Sequence, residues 1–319
     1  MTTFSKANFK TLQYNSFRPH YPGSFYKILG QYTTKDDVSK LPLKKAIDLG
    51  CGTGVATYPL LNICEDVIGL DISPKMIETA NSLIPQRTQE FGVDSHRISF
   101  KTCSTEDFLH DDQRQIHDNS VDLITAAQCI HWFQDFPKFF RNASELLKPQ
   151  GTLAYFYYVD PFVVDFRGAH PRGESKIEIL NKAKELYHDY VYNDETLIGP
   201  HWEQPGRTII KNSLVDVNEC IPQDLYEDIT IKTFSPNFET GDVKPHEDDL
   251  CLEKTNILVD DYLNYLRTYS GYHAFRDATG DKDDVFKRFK DDLFAELGWD
   301  ENTRIDLVWN TGYTFIRKK

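Results

Sequence analysis

Short apolar runs alternate with amphipathic segments through the first half of the chain. Five segments have the apolar pattern of strands, at 45–49, 66–71, 97–101, 120–126 and 152–159. Helices are predicted from near Val55, after Ser73 and over 136–147, and Ser73 followed by Pro74 is typical of a helix start. Strands that alternate with helices favour a parallel sheet with helices on both faces.

The second half of the chain has a different pattern. Segments 160–228 and 235–300 are polar and mainly helical, with one long helix predicted over 258–275, whereas 229–234 and 304–317 have the pattern of strands. We expect these two strands to close the first sheet. The predicted fold is therefore α/β, a doubly wound Rossmann-like seven-stranded sheet with a mainly helical insertion after strand 5.

We expect residues 1–319 to form a single domain. Its predicted parts are an N-terminal cap segment over 1–45, a core over 46–159, helical insertions over 160–228 and 235–300, and closing strands over 229–234 and 304–317.

The most informative segment is the glycine-rich turn DLGCGTG at 48–54, which follows the first predicted strand. Its three glycines let the backbone pass close to a ligand, and Asp71 at the end of the next strand can accept hydrogen bonds from ribose hydroxyls. The glycines run GxGxG instead of the dinucleotide GxGxxG, and Asp48 precedes them. An acid disfavours a pyrophosphate but attracts an ammonium group, so the pattern favours S-adenosylmethionine.

Composition and charge limit the classes of binding partner that are expected. A net charge of −13 and a pI near 5.2 argue against capture of nucleic acid or of an anionic membrane surface. The six cysteines form no CxxC pair, so no metal site is expected, and their thiols are expected to be reduced. The chain begins without a secretory leader pattern. We expect a cytoplasmic protein, a monomer or weak homodimer, that takes a small-molecule acid substrate without nucleic acid or stable membrane association.

Two segments carry a family resemblance. AIDLGCGTG at 46–54 and VIGLDIS at 67–73 resemble the first two motifs of class I S-adenosylmethionine-dependent methyltransferases. The resemblance implies S-adenosyl-L-methionine as cofactor and S-adenosyl-L-homocysteine as product. With the argument above, the expected cofactor-binding residues are Tyr21, Asp48, Gly50, Cys51, Gly52, Gly54, Asp71, Ile72, Ser104, Thr105, Ala127 and Gln128.

Further segments resemble the fungal trans-aconitate methyltransferases over nearly the whole chain. They are YNSFRPHYP at 14–22, IHWF at 130–133, GPHWEQPGR at 199–207, YLRTYS at 265–270 and VWNT at 308–311. This resemblance implies methylation of a carboxylate of a small polycarboxylic acid, such as trans-aconitate, to a methyl ester.

The resemblance also leads to candidate acceptor residues. A carboxylate is ionised near neutral pH and needs no general base in order to react. The other carboxylates of a polycarboxylic acid, which do not react, need arginine side chains to bind them. The candidates for substrate binding are Arg18, Trp202, Arg207 and Arg267, and those for the catalytic centre are His131, Trp132 and Tyr21.

Alternatives remain open at this stage. If the acceptor were a hydroxyl of another small molecule or a lipid, His131 would be the candidate general base. The arginines can equally form structural ion pairs, and the tryptophans can be core residues. A non-catalytic S-adenosylmethionine-binding protein and a nicotinamide oxidoreductase are further alternatives, which cofactor binding would separate.

Overall fold

The computed structural model describes residues 17–103, 116–280 and 284–319. One mixed sheet organises them. Its strands are β1 (Leu43–Leu49), β2 (Cys64–Asp71), β3 (Ile98–Thr102), β4 (Val121–Ala127), β5 (Leu147–Arg167), β6 (Tyr226–Phe234), β7 (Glu253–Leu258) and β8 (Arg304–Lys318). The strand order is β3-β2-β1-β4-β5-β8-β6, and β7 pairs with the first part of β8. Strands β1 to β5 are parallel, whereas β8 runs antiparallel to β5, β6 and β7.

Helices cover both faces of this sheet. They are α1 (Gly23–Thr34), α2 (Pro74–Phe91), α3 (Phe136–Leu146), α4 (Lys176–His188), α5 (Gly206–Lys211), α6 (Val215–Glu219), α7 (Val259–Leu266), α8 (Ser270–Thr279) and α9 (Val285–Leu297). Short 3-10 turns occur at Val38–Lys40, Tyr58–Asn62, Ser95–Arg97, Ile130–Trp132 and Gly199–His201, and a π-turn at Asp189–Asn193. Two apolar cores form, one on each face of the sheet.

The doubly wound Rossmann-like fold expected from the sequence is confirmed, with eight strands in the described residues where seven were expected. The additional strand, β7, lies in a segment too polar to predict a strand, because its residues are mostly exposed or half-buried. Strand β5 continues to Arg167, beyond the predicted start of the insertion at 160, because β8 pairs with it over nearly its whole length.

Two predicted helices differ from the structure. No α-helix begins near Val55; the chain passes through turns into the 3-10 segment Tyr58–Asn62, because Pro59 has no N–H to donate to the carbonyl of Val55, as an α-helix would require. The predicted helix over 258–275 is two helices, α7 and α8, with a break after Leu266 at which the chain turns.

The order of strands reverses between β1 and β4, the inner pair of the parallel sheet. At such a switch point the connections leave to opposite faces and open a crevice beyond the carboxyl ends of the strands. The crevice lies beside Leu49 and Ala127, the last residues of β1 and β4.

Candidate functional site

A cavity of about 390 Å³ occupies this crevice. Its volume lies in the range of small-molecule sites. Its walls come from the glycine turn, the end of β2, the loop after β4 and the N-terminal segment. They are formed by Arg18, Pro19, Tyr21, Asp48, Gly50, Cys51, Gly52, Thr53, Val55, Ala56, Asp71, Ile72, Ser73, Met76, Ala127, Gln128, Cys129, Trp132, Phe133, Gln134 and Tyr158. We refer to it as the cofactor cavity.

The glycine turn needs its glycines for two separate reasons. Gly50 and Gly54 have φ angles of +62° and +86°, in the region that side chains disfavour. A Cβ on Gly50 would lie 2.6 Å from the Cβ of Cys129, and one on Gly54 would lie 2.7 Å from the ring of Tyr58. The turn can therefore bring its backbone to the cavity only without side chains at these positions.

Asp48 lies fully buried at the base of the cavity. Its two oxygens accept hydrogen bonds from the hydroxyls of Thr125 and Thr57, each at 2.6 Å. Burial raises the pKa of the Asp48 carboxyl to about 6; the two hydroxyls oppose this rise, and Asp71 adds to it. Because burial makes the ionised form of Asp48 unfavourable, a cation placed beside this carboxylate would be bound favourably.

Asp71 and Ile72 stand where β2 ends. The Asp71 carboxylate accepts backbone hydrogen bonds from Gly52 at 2.9 Å and from Ser73 at 2.8 Å, and its burial raises its pKa. Each carboxylate oxygen keeps a second lone pair for a hydroxyl ligand. The neighbouring Ile72 is 66% exposed, an apolar surface well placed to pack against a flat ring.

A second cavity of about 70 Å³ adjoins the first, and we refer to it as the acceptor cavity. Arg18, Gln128 and Trp132 line both, so they mark the junction of the two spaces. The Gln128 side chain is fixed there by two hydrogen bonds to the backbone of Tyr158, each at 2.9 Å. The other lining residues are His131, Val159, Trp202, Arg207, Ile210, Tyr269 and Ser270.

Arg18 brings a buried positive charge to this junction. Its guanidinium donates to the Tyr158 hydroxyl at 3.2 Å and to the Thr268 carbonyl at 3.0 Å. It also lies 5.7 Å from the ring centroid of Tyr265, which favours a cation. Tyr21 packs edge-on against Phe156, at 5.0 Å between ring centroids, and forms part of the cofactor-cavity wall.

Arg207 reaches the far end of the acceptor cavity from α5. Its guanidinium carbon lies 4.0 Å from the ring centroid of Trp202, and its Nη2 donates to Asp160 at 2.9 Å. The same Asp160 oxygen accepts from the hydroxyls of Tyr187 at 2.7 Å and Tyr192 at 2.5 Å. Sequence reasoning missed Asp160; the one available signal was a polar residue at the end of an aromatic strand.

His131 is buried on the wall between Trp132 and Arg207. Burial, and then the nearby charge of Arg207, lower the pKa of His131 to about 3. The ring is therefore neutral at physiological pH and a weak base. Its Nδ1 and the Nε of Arg207 are buried atoms without a hydrogen-bond partner in the protein.

The structure brings most of the predicted site residues together. The expected cofactor residues Tyr21, Asp48, Gly50, Cys51, Gly52, Asp71, Ile72, Ala127 and Gln128 line the cofactor cavity, and Arg18, His131, Trp132, Trp202 and Arg207 line the acceptor cavity. Gly54 does not line the cavity but allows the conformation of the turn that does. Ser104 and Thr105 lie outside the described residues.

Arg267 is the candidate that the fold does not bring to either cavity. Its guanidinium pairs with Asp284 at 2.9 Å and donates to Asn264 at 3.2 Å, and its side chain is 31% exposed. The residue directly follows α7, whose buried face carries Leu263 and Leu266, and it points away from that face toward α9.

Within residues 17–103, 116–280 and 284–319, no group of His, Cys, Asp and Glu side chains is arranged to hold a metal ion. In the same ranges, no helix combines the length and apolar character that crossing a bilayer requires.

Comparisons with known proteins agree with this geometry. Residues 47–155 match the family model described as a methyltransferase domain. A Saccharomyces cerevisiae protein described as a probable S-adenosylmethionine-dependent methyltransferase is 26% identical over 100% of this chain and 99% of its own length. A Bacteroides thetaiotaomicron malonyl-[acyl-carrier protein] O-methyltransferase is 27% identical over 56% of this chain and 63% of its own length.

The fold has a counterpart among solved structures. A structure from Anaeromyxobacter dehalogenans, described as a candidate type II methyltransferase, superposes with a TM-score of 0.61 at 22% identity, covering 94% of this chain and 98% of its own. This likeness concerns the fold alone. The matched domain, the glycine turn with its two acids and the full-length relative together support a methyltransferase that uses S-adenosylmethionine as its cofactor.

Proposed function

We propose that the chain methylates a carboxylate of a small polycarboxylic acid, the class to which trans-aconitate belongs, to give a methyl ester. One observation carries the proposal: the acceptor cavity joins the cofactor cavity at a buried arginine, while its histidine is held in a neutral, weakly basic form. The cofactor supplies an electrophilic methyl group on a sulfonium.

The state of His131 favours an acceptor that needs no base. A hydroxyl acceptor would need a base with a pKa near neutrality, and His131 has a pKa of about 3. A carboxylate is already ionised at neutral pH and can attack the methyl group directly. The residues then act by orientation and exclusion of water, since the attack neutralises one negative and one positive charge.

The residues that line the two cavities suit methyl transfer to a carboxylate. Trp132 and Tyr21 supply rings beside the junction, and ring faces tolerate a sulfonium. Arg18 supplies the positive charge for a carboxylate of the acceptor, and Trp202 holds Arg207 in place. Asp48 would attract the ammonium group of the cofactor, and Asp71 would accept from its ribose hydroxyls.

The segments of the trans-aconitate methyltransferase resemblance also meet here. YNSFRPHYP supplies Arg18, IHWF supplies His131 and Trp132, GPHWEQPGR supplies Trp202 and Arg207, and YLRTYS supplies Tyr269 and Ser270. VWNT contributes Asn310, whose side-chain oxygen accepts from the backbone N–H of Asp160 at 2.6 Å. The Bacteroides thetaiotaomicron relative is named as an O-methyltransferase, which agrees with an oxygen acceptor.

Transfer of labelled methyl from S-adenosylmethionine to trans-aconitate, citrate and isopropylmalate tests the proposal. We expect a labelled product that alkali hydrolyses, as it does a methyl ester. Arg18→Gln should raise the acceptor KM at least tenfold, because a buried charge-assisted contact is lost. Arg267→Gln is the matched control and should leave KM within twofold.

S-Adenosylhomocysteine binding must be measured for Arg18→Gln, because Arg18 also borders the cofactor cavity. Loss of cofactor affinity alone would assign Arg18 to the cofactor carboxylate. Tight cofactor binding by the wild type with no transfer to any acid would overturn the carboxylate acceptor and direct the search to hydroxyl and lipid acceptors.

A further inference from the structure

We propose that Arg207 and His131 bind a neutral oxygen of the acceptor, and that Asp160 prevents this end of the cavity from binding a second carboxylate. The inference rests on the proposed function and narrows its acceptor. It makes Asp160, which lies behind the wall, a positioning residue that sets specificity.

Two neighbouring buried atoms indicate what this end of the cavity binds. The Nε of Arg207 and the Nδ1 of His131 both lack a hydrogen-bond partner in the protein, and both residues line the acceptor cavity. A buried polar atom left unpaired is costly, so such atoms in a cavity mark where a ligand completes the hydrogen bonds. The Arg207 N–H can only donate, so the ligand atom facing it must accept.

The charge of Asp160 decides which kind of acceptor atom fits. The Asp160 carboxylate is 2.9 Å from Nη2 of Arg207, and both side chains are almost wholly buried, at 7% and 11% exposure. The pair is therefore close to neutral as seen from the cavity. A second carboxylate of the acceptor would be attracted by the guanidinium but repelled by Asp160, which lies only a few ångströms beyond it, and it would also lose its hydration.

The surroundings of the pair leave this balance intact. Tyr187 and Tyr192 donate hydrogen bonds from their hydroxyls to the same oxygen of Asp160 that accepts from Arg207, and these contacts hold the carboxylate in place. The ammonium of Lys211 lies 3.6 Å from the ring centroid of Tyr192 and interacts with both Asp160 and Arg207, but Lys211 is an exposed residue whose charge is screened by solvent, and it does not line the acceptor cavity. His131 contributes no charge at neutral pH. A hydroxyl, amide or ester carbonyl oxygen satisfies the donor without adding an unpaired charge.

Asp160→Asn separates this role from a merely structural one. Asparagine keeps an oxygen in the position that accepts from Tyr187, Tyr192 and Arg207, but it removes the negative charge. Because a unit charge about 6 Å away in a partly buried site changes binding at least tenfold, the Arg207 end should become an anion site. A structural role alone would lower kcat/KM equally for all acceptors.

The experiment compares trans-aconitate with its three monoamides, in which one carboxylate is replaced by a neutral group of the same shape. We expect the wild type to have about tenfold higher kcat/KM with the best monoamide, and Asp160→Asn to reverse or abolish that preference, mainly through KM. Asp160→Glu, which restores the charge, should restore the preference even if kcat falls.

Asp292→Asn is the matched control. Asp292 also accepts a short hydrogen bond from a buried tyrosine, Tyr190 at 2.5 Å, but it does not line the acceptor cavity. The ratio of the two acceptors should stay within twofold of wild type. A wild-type preference for trans-aconitate over every monoamide, or an unchanged ratio in Asp160→Asn, would overturn the inference while leaving carboxyl methylation standing.

Calorimetric binding of the same compounds to protein saturated with S-adenosylhomocysteine gives a readout independent of catalysis. If no acid accepts a methyl group but Asp160→Asn still shifts the affinity ratio toward trans-aconitate, the proposed function fails and the inference holds. If neither compound binds either protein at millimolar concentration, both fail. Melting curves of the variants check that each is folded.

Discussion

Asp48 is expected to destabilise the protein in the absence of cofactor, and Asp48→Asn tests this directly. The carboxyl is fully buried, and its pKa of about 6 in the folded chain compares with 3.8 in an unfolded one. The folded state therefore holds the proton more tightly. Above pH 6 the ionised group costs stability, and the cost disappears as the pH falls toward 4.

The size of the effect follows from the pKa. The difference corresponds to about 3 kcal/mol at pH 7, so Asn at this position should stabilise the cofactor-free protein by roughly 2 to 3 kcal/mol. The Thr57 and Thr125 hydroxyls can donate to the amide oxygen or accept from the amide nitrogen, which keeps their hydrogen bonds. At about 2 °C per kcal/mol, the melting temperature at pH 7.5 should rise by about 5 °C.

The same change should remove the cation site. Saturating S-adenosylhomocysteine, at about 100 times its Kd, stabilises a binding-competent protein by about 2.7 kcal/mol. We expect the wild type to gain several degrees with this ligand and Asp48→Asn to gain almost nothing. Asp122→Asn is the control. Asp122 lies near the start of β4, at the other end of the parallel strands from the cofactor cavity, and it pairs with Lys148 at 2.7 Å.

Melting temperatures are measured for both variants at pH 7.5 and pH 4.5, with and without ligand. The stabilisation by Asp48→Asn should shrink markedly at pH 4.5, where the wild-type carboxyl is protonated. A destabilised Asp48→Asn at pH 7.5, or a difference from wild type that does not change with pH, would refute the reasoning on burial. Undiminished stabilisation by ligand would refute the cation site.

Three further predictions concern the acceptor side. Gly206→Ala should lower kcat/KM for the acceptor by roughly tenfold to a hundredfold in a steady-state assay, because the added Cβ would lie 2.5 Å from the Trp132 ring. Gly23→Ala is the control and should match the wild type in the same assay, because there is open space around its Cβ. His131→Asn should keep the wild-type shape of log kcat against pH between 7 and 8.5, since a group with a pKa of about 3 does not titrate there. A rise of log kcat with pH in the wild type that the variant loses would restore His131 as a base. Arg267→Ala should lower the free energy of unfolding by less than about 1 kcal/mol in urea titrations, because its partly exposed ion pair is screened by solvent; a larger loss would give Arg267 a structural role that its contacts do not indicate.

The fold class and most of the residues that line the cofactor cavity can be predicted from the sequence alone. The alternation of strands and helices predicts the parallel core, and the turn at 48–54 with Asp71 predicts the ligand type, because these residues are close along the chain and their spacing fixes their geometry. Local pattern failed where tertiary contacts override it. Strand β7 forms from a polar segment because β8 supplies its partner. The absence of an α-helix near Val55 has a local cause instead, since Pro59 has no N–H to donate to the Val55 carbonyl.

The composition of the acceptor cavity depends on contacts between segments that are far apart along the chain. Arg18, His131, Trp202 and Arg207 come from four distant segments, and no spacing along the chain indicates which of them share a cavity. The sequence could nominate Arg207 but not its partner Asp160, 47 positions earlier, which cancels its charge. It could not exclude Arg267, because an arginine next to a helix can face either way. Charge neutralisation and burial depend on distances through space, and the folded chain alone sets these.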